Sequence, residues 1–387
     1  MHQPMALAKG ARITGGVFCL LFFLFLGYWL AVDLGEFGLD GVWESWTLQR
    51  PGGTNEVTGP FQLGLAVLDL VAVFAAFAGN RLAGGLLAVA TTFTFATALQ
   101  ALVSVGNHTS DNRWFQHAET STATFDGVFI SSGLLFLLTL VAGIVLLAGM
   151  RSWPRPRPSE PPMRPAPTAG VLAGLLLGAM VLVNVVWQVY MLVQGGTGTF
   201  EMLYLGKGAL SSLLSLAPGW SALVFLVLTA LAALNSLLRG GAARGLAIGL
   251  SILSLPGALI TVVALARNGA LFSLNESLPG LSILNDVQLL LDTVGSVALL
   301  ALMARGEPSA PAWYPPSQAA PFAVPGFVPP AGPPVPPVAG WQPPVGPVGG
   351  PPMPPPGTPP MPPPGTPPMP PGTPPAPGQG GFGPPQY

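Results

Sequence analysis

Charge is what this chain has least of. Of 387 residues, 14 are Lys or Arg and 15 are Asp or Glu. Soluble domains carry about a quarter charged residues, so this composition cannot build an ordinary water-facing surface. Lysine occurs only as Lys9 and Lys207, and the net charge of −1 leaves no basic excess, so nucleic acid is excluded as a partner. Cysteine is reduced to Cys19, inside an apolar run, which rules out an intramolecular disulfide and a cysteine zinc site. Histidine is also scarce: His2 is near the start, and His108 and His117 lie in a polar stretch. No phosphate-binding glycine loop, histidine–glutamate zinc motif or nucleophile elbow occurs. The chain therefore reads as non-enzymatic, with no cofactor and no metal.

Apolar residues fill half of the sequence. Crossing a ~30 Å hydrocarbon layer takes about 20 mostly apolar residues as a helix. Eight runs qualify: 13–32, 61–79, 82–105, 126–149, 169–193, 218–238, 244–266 and 285–304. The first follows Lys9 and Arg12 but is long for a signal peptide, so it is read as a retained helix. The expected fold is an all-α polytopic membrane protein with eight transmembrane helices and a disordered, proline-rich C-terminal tail.

Basic residues set the expected orientation. With the N terminus inside, Lys9, Arg12, Arg81, Arg151, Arg155, Arg157, Arg164, Arg239, Arg244 and Arg305 fall inside. Only Arg50, Arg113, Lys207 and Arg267 fall outside. Both termini are thus expected in the cytoplasm. Residues 1–150 form a first four-helix unit and 169–307 a second, separated by a basic, proline-rich linker at 151–168. An offset of 160 superposes Gly85-Leu86 on Gly245-Leu246 and Asp126 on Asp286. Four crossings per half make this a parallel duplication. Arg151, Arg155, Arg157 and Arg164 of the linker would lie against anionic headgroups. The scarcity of lysine beside abundant Arg, Ala and Gly points to a GC-rich genome, hence to a bacterial inner membrane.

Polar residues within apolar segments are functional candidates by default. Asp69 sits in Leu65-Ala66-Val67-Leu68-Asp69-Leu70-Val71, and a fold-back at Arg81 brings it level with Thr91–Thr97, including Thr94. Threonine hydroxyls are expected to donate to it. Asn285, Gln288, Asp292 and Ser296 form one stripe of the last helix, while Asn184 and Gln188 share a face of the fifth. Together these could line a wet cleft, or act as glue between helices. His108, Asp111, His117 and Glu119 are capable metal ligands, but their spacing matches no helical two-histidine site and includes no cysteine, so a solvated loop is expected.

The segment Gly41-Val42-Trp43-Glu44-Ser45-Trp46 is expected in a long first outer loop. With four helices per half, this Gly-x-Trp element resembles the claudin-like four-helix group. That group's loop depends on a cysteine pair that is missing here, so the resemblance implies a shape and no activity. Trp43 and Trp46 fit an interfacial aromatic belt.

Residues 308–387 hold 34 prolines and 13 glycines, and Pro351–Thr358 recurs as an octad. Such a segment resists helix and central strand, and its prolines favour extended polyproline II. The closing Pro384-Pro385-Gln386-Tyr387 is a polyproline ligand pattern. Two functions follow from the sequence. The first is a membrane protein whose cytoplasmic tail recruits or tethers a protein partner. The second is a small-solute or ion transporter using Asp69 and Asp292.

Overall fold

A computed structural model of the chain describes residues 5–47, 49, 56–106, 122–152, 163–207, 212–273 and 279–308. The chain divides into two units, Met1–Gln318 and Ala319–Tyr387. The second unit, with Pro384, Pro385 and Tyr387, lies outside the described residues. So do Arg155 and Arg157 of the linker and the histidine-bearing stretch that contains His108, Asp111, His117 and Glu119.

Among the described residues, eight helices are long and apolar enough to span a membrane, so the chain is a multi-pass integral membrane protein. They are α1 (Lys9–Trp46), α2 (Pro60–Phe77), α3 (Ala83–Gly106) and α4 (Thr122–Ala148). After them come α5 (Pro167–Phe200), α6 (Gly219–Leu237), α7 (Ala243–Arg267) and α8 (Pro279–Ala304). Pro60, Pro167 and Pro279 each open a helix, where a missing N–H costs nothing and the fixed φ favours helical geometry.

Two helices run further than their apolar stretches. Glycine breaks account for both. α1 continues to Trp46 through Gly38, whose φ of 69° lets the chain turn and resume as helix. Trp43 and Trp46 are therefore helical rather than part of a loop. α5 does the same at Gly196 (φ 55°) and passes into a π-helical turn, Glu201–Leu205. Aromatic residues punctuate both extensions: the Trp46 indole donates to the Thr58 carbonyl (3.2 Å), and Trp220 donates to Tyr204 O (3.1 Å).

The centre of the bundle is α2, α3 and α7. α2 packs on α1, α3 and α7, while α3 packs on α4, α6 and α7. Small residues allow this. At the α3–α7 crossing, a Cβ added to Gly85 would lie 2.5 Å from the Gly245 carbonyl carbon, and one on Gly245 would lie 2.8 Å from the Gly85 Cα. The backbones touch there, as small residues at membrane helix contacts permit. Outward-facing Leu134, Leu137, Ile144 and Leu175 are each exposed, as a hydrocarbon-facing surface requires.

Short antiparallel ladders tie the ends. β1 (Met5–Leu7) pairs with β2 (Met150–Ser152), and β3 (Met163–Pro165) pairs with β4 (Gly306–Pro308). Each ladder joins the residues just before one set of four helices to those just after it. At the same end, Arg12 donates to the Gly79 carbonyl in the α2–α3 turn (3.3 Å). Arg239 holds the α6–α7 turn in a left-handed conformation (φ 53°). Its guanidinium reaches Pro165 O (3.2 Å) and the Glu307 carboxylate (2.9 Å).

The far end is held by buried polar groups. Asp33, near the end of the straight part of α1, accepts from Val57 N (2.9 Å), Thr58 N (2.8 Å) and Thr58 Oγ1 (2.5 Å). The carbonyls of Glu56 and Val57 accept in turn from Leu213 N and Leu214 N, both at 3.0 Å. Gln62 donates to Ser215 Oγ (2.8 Å), Ser221 donates to Gln100 Oε1 (2.8 Å), and Gln100 donates to the Leu214 carbonyl. This network spans the two sets of helices.

Candidate functional site

The polar residues of α5 and α8 meet around one cavity of about 670 Å³. That size suits a small-molecule site. From α5 come Asn184 and Trp187, and from α8 come Asn285, Gln288 and Asp292. α7 contributes Ser254 and Thr261 beside Leu253, Gly257 and Ala258. Pro60 and Phe61 of α2, with Ala222 and Phe225 of α6, complete an apolar and aromatic wall. Pro60, Leu265 and Asn285 stand near helix ends, so the cavity lies toward the far end of the bundle.

Several of these side chains are already oriented. The Trp187 indole N–H donates to Asn285 Oδ1 (2.8 Å), linking α5 to α8 across the cavity. Gln288 stands one turn before Asp292 on α8, on the same cavity wall. Ser254 and Ser296 share a hydrogen bond of 2.9 Å between α7 and α8. Asn184 is 6% exposed, and its Oδ1 is buried without a hydrogen-bond partner. A buried amide oxygen left unpaired costs free energy unless something donates to it.

Backbone irregularities fall on the same walls. Asp292 lies at mid-length of α8 in a π-helical turn, Leu291–Gly295. Such turns widen a helix locally and recur at functional sites. Across the cavity, α7 contains Pro256, which has no N–H to bond the carbonyl four residues earlier.

Four of the sequence candidates, Asn184, Asn285, Gln288 and Asp292, are therefore brought together; Gln188 and Ser296 are not among the lining residues. Asp69 stands apart from this cavity. It is fully buried in α2, and neither carboxyl oxygen has a hydrogen-bond partner. The expected threonine lock is not formed. Thr94 donates to the Ala90 carbonyl (2.8 Å) and Thr92 to Ala88 O (2.7 Å), each within α3. Helical Ser and Thr commonly satisfy themselves on the preceding turn, which removes them as donors to a neighbour. Of the linker arginines that are described, Arg151 donates to Ala148 O (2.8 Å) and Arg164 belongs to β3.

Trp187, Ser254, Thr261, Phe61 and Phe225 were missed in the sequence. Apolar and hydroxyl residues carry no signal there until a fold shows which face they share. The one available hint was Pro256 within an apolar run.

No protein-family model, curated protein or solved structure matches the chain.

Proposed function

We propose that this is a non-enzymatic inner-membrane protein that binds a small polar solute between α5 and α8 as part of moving it across the bilayer. The carrying observation is convergence: Asn184, Asn285, Gln288 and Asp292 reach one cavity from two helices, at a depth where uncompensated polar groups are expensive. Asp69 has no part in this path.

Paired features support a parallel duplication beneath the site. Gly38 and Gly196 kink equivalent helices 158 residues apart, and Trp29 and Trp187 stand at the same spacing. Gly85 and Gly245 meet at the crossing of α3 with α7, and a ladder closes each set of four helices. The end bearing the ladders and Arg12, Arg81, Arg239 and Arg244 is assigned to the cytoplasm, and the cavity to the outer leaflet.

Thiol labelling in sealed vesicles of known sidedness tests this reading without knowing the solute. Cys19 is fully buried, so the natural chain supplies the unlabelled control. Thr261→Cys should react with a membrane-impermeant maleimide from the outer face, and Thr94→Cys should not. A Thr261→Cys thiol that stays unreactive even after the vesicles are opened would mean a sealed void and end the proposal.

A second role rests on the sequence of residues 308–387. The proline-rich tail recruits a cytoplasmic protein through extended Pro-x-x-Pro segments, while linker arginines contact anionic lipid. Crosslinked pull-downs from native membranes, with the full chain and with a chain stopped after Glu307, decide it. Identical sets of recovered proteins would remove the tail as a docking segment.

A further inference from the structure

We infer that the solute held in this cavity is a small organic ammonium ion. The inference rests on the proposed solute-binding role and adds its chemical class. Among the described residues that line the cavity, Asp292 is the one ionisable group, with no Lys, Arg or His beside it. An anion would therefore meet a carboxylate with nothing to offset the repulsion. Asn184 Oδ1, buried and unpartnered, is a second acceptor waiting for a donor. A ligand that answers both must present N–H or O–H hydrogens and favour a negative partner.

The remaining walls narrow the choice between organic and inorganic cations. Calcium takes six to eight oxygen ligands, and magnesium takes six in tight octahedral geometry. Asp292 is the one anionic ligand among the described lining residues, and no group of three or more His, Cys, Asp or Glu occurs among the described residues. Phe61, Trp187 and Phe225 instead offer aromatic surface on the same cavity. Aromatic faces attract ammonium groups and accommodate the carbon skeleton attached to them. The Trp187 ring is held in place by its hydrogen bond to Asn285, so that surface is formed before any ligand arrives. Donors and acceptors are thus divided in a way that favours a protonated amine: its N–H groups toward Asp292 and Asn184, its carbon body toward the rings.

The test uses the purified full chain in lipid nanodiscs and three compounds of one shape: phenethylammonium, the neutral 2-phenylethanol and the anionic phenylacetate. Binding is read by calorimetry and by change in tryptophan fluorescence. Phenethylammonium should bind at least tenfold more tightly than 2-phenylethanol, and phenylacetate should not bind. Asp292→Asn should abolish that tenfold preference while leaving the protein monodisperse with unchanged thermal unfolding. Trp187→Phe should remove most of the fluorescence change but keep the preference. Equal binding of the amine and the alcohol by the natural chain overturns the ammonium assignment and leaves a solute cavity in place. An Asp292→Asn protein that keeps the preference also overturns it. If none of the three compounds binds, the ammonium assignment falls, and thiol labelling of Thr261→Cys decides the solute-binding reading separately.

Discussion

Trp29 of α1 and Trp187 of α5 face opposite surroundings. Trp29 is buried, and its ring lies where a Cβ on Gly127 of α4 would come within 3.2 Å. Near it Phe22, Leu26, Leu65, Leu68 and Phe93 belong to a tightly filled core. Trp187 instead hydrogen-bonds Asn285, which stands 158 residues beyond Gly127, and the space beside it is open and polar. Leu26 stands three residues before Trp29, and Asn184 three residues before Trp187. One set of helices has a filled interior, and the other borders a cavity.

The contrast breaks most completely at the shared crossing. Gly85→Leu pushes a side chain into the Gly245 backbone, and overpacking of this kind costs about 3 kcal/mol or more where neither backbone can retreat. Gly178→Leu on α5, with open space around it, should leave thermal unfolding in detergent unchanged. Should Gly85→Leu unfold like the natural chain, the crossing is looser than described.

Filled and hollow interiors also differ in what truncation costs. Phe22→Ala should destabilise by about 3–5 kcal/mol, as large-to-small changes in close-packed cores do. Phe225→Ala, on the cavity wall, should cost less than half as much, because its ring already borders empty space. Denaturant midpoints of the two variants compare them directly. Equal losses would mean that α5–α8 are packed as tightly as α1–α4.

At the far end, Asp33→Ala removes three hydrogen bonds from the Val57–Thr58 corner and leaves two buried amides unpaired, for about 2–3 kcal/mol. Hydrogen exchange should rise at residues 56–58 and at Leu213 and Leu214, which bond to that corner. The smallest effect belongs to Arg239→Lys. Its partner Glu307 is half exposed, so the ion pair contributes under about 1 kcal/mol. What a lysine cannot copy is the second bond to Pro165 O, seen as faster exchange in β3 and β4.

The eight crossings were legible because twenty apolar residues in a row have few other physical meanings. The kinks at Gly38 and Gly196 were not, since in both helices polar residues follow the glycine and read as loop. The polar stripe of α8 could be read at helical spacing, and so could Asn184. Asp69 misled for an instructive reason. Level neighbours on paper included four threonines, but the Thr92 and Thr94 hydroxyls reach carbonyls of their own helix and have no need of another partner. Cavity walls made of Phe61, Phe225 and Ser254 come from three separate helices, and such a set exists only once the chain is folded.

The two ladders carry a consequence for how the gene could be rearranged. Because Met5–Leu7 meets Met150–Ser152, and Met163–Pro165 meets Gly306–Pro308, each run of four helices begins and ends at one point. A polypeptide whose two ends already touch can be cut free from its neighbour without stretching any connection. Two separate messages, one ending and the other beginning within residues 153–162, should therefore assemble into the same protein.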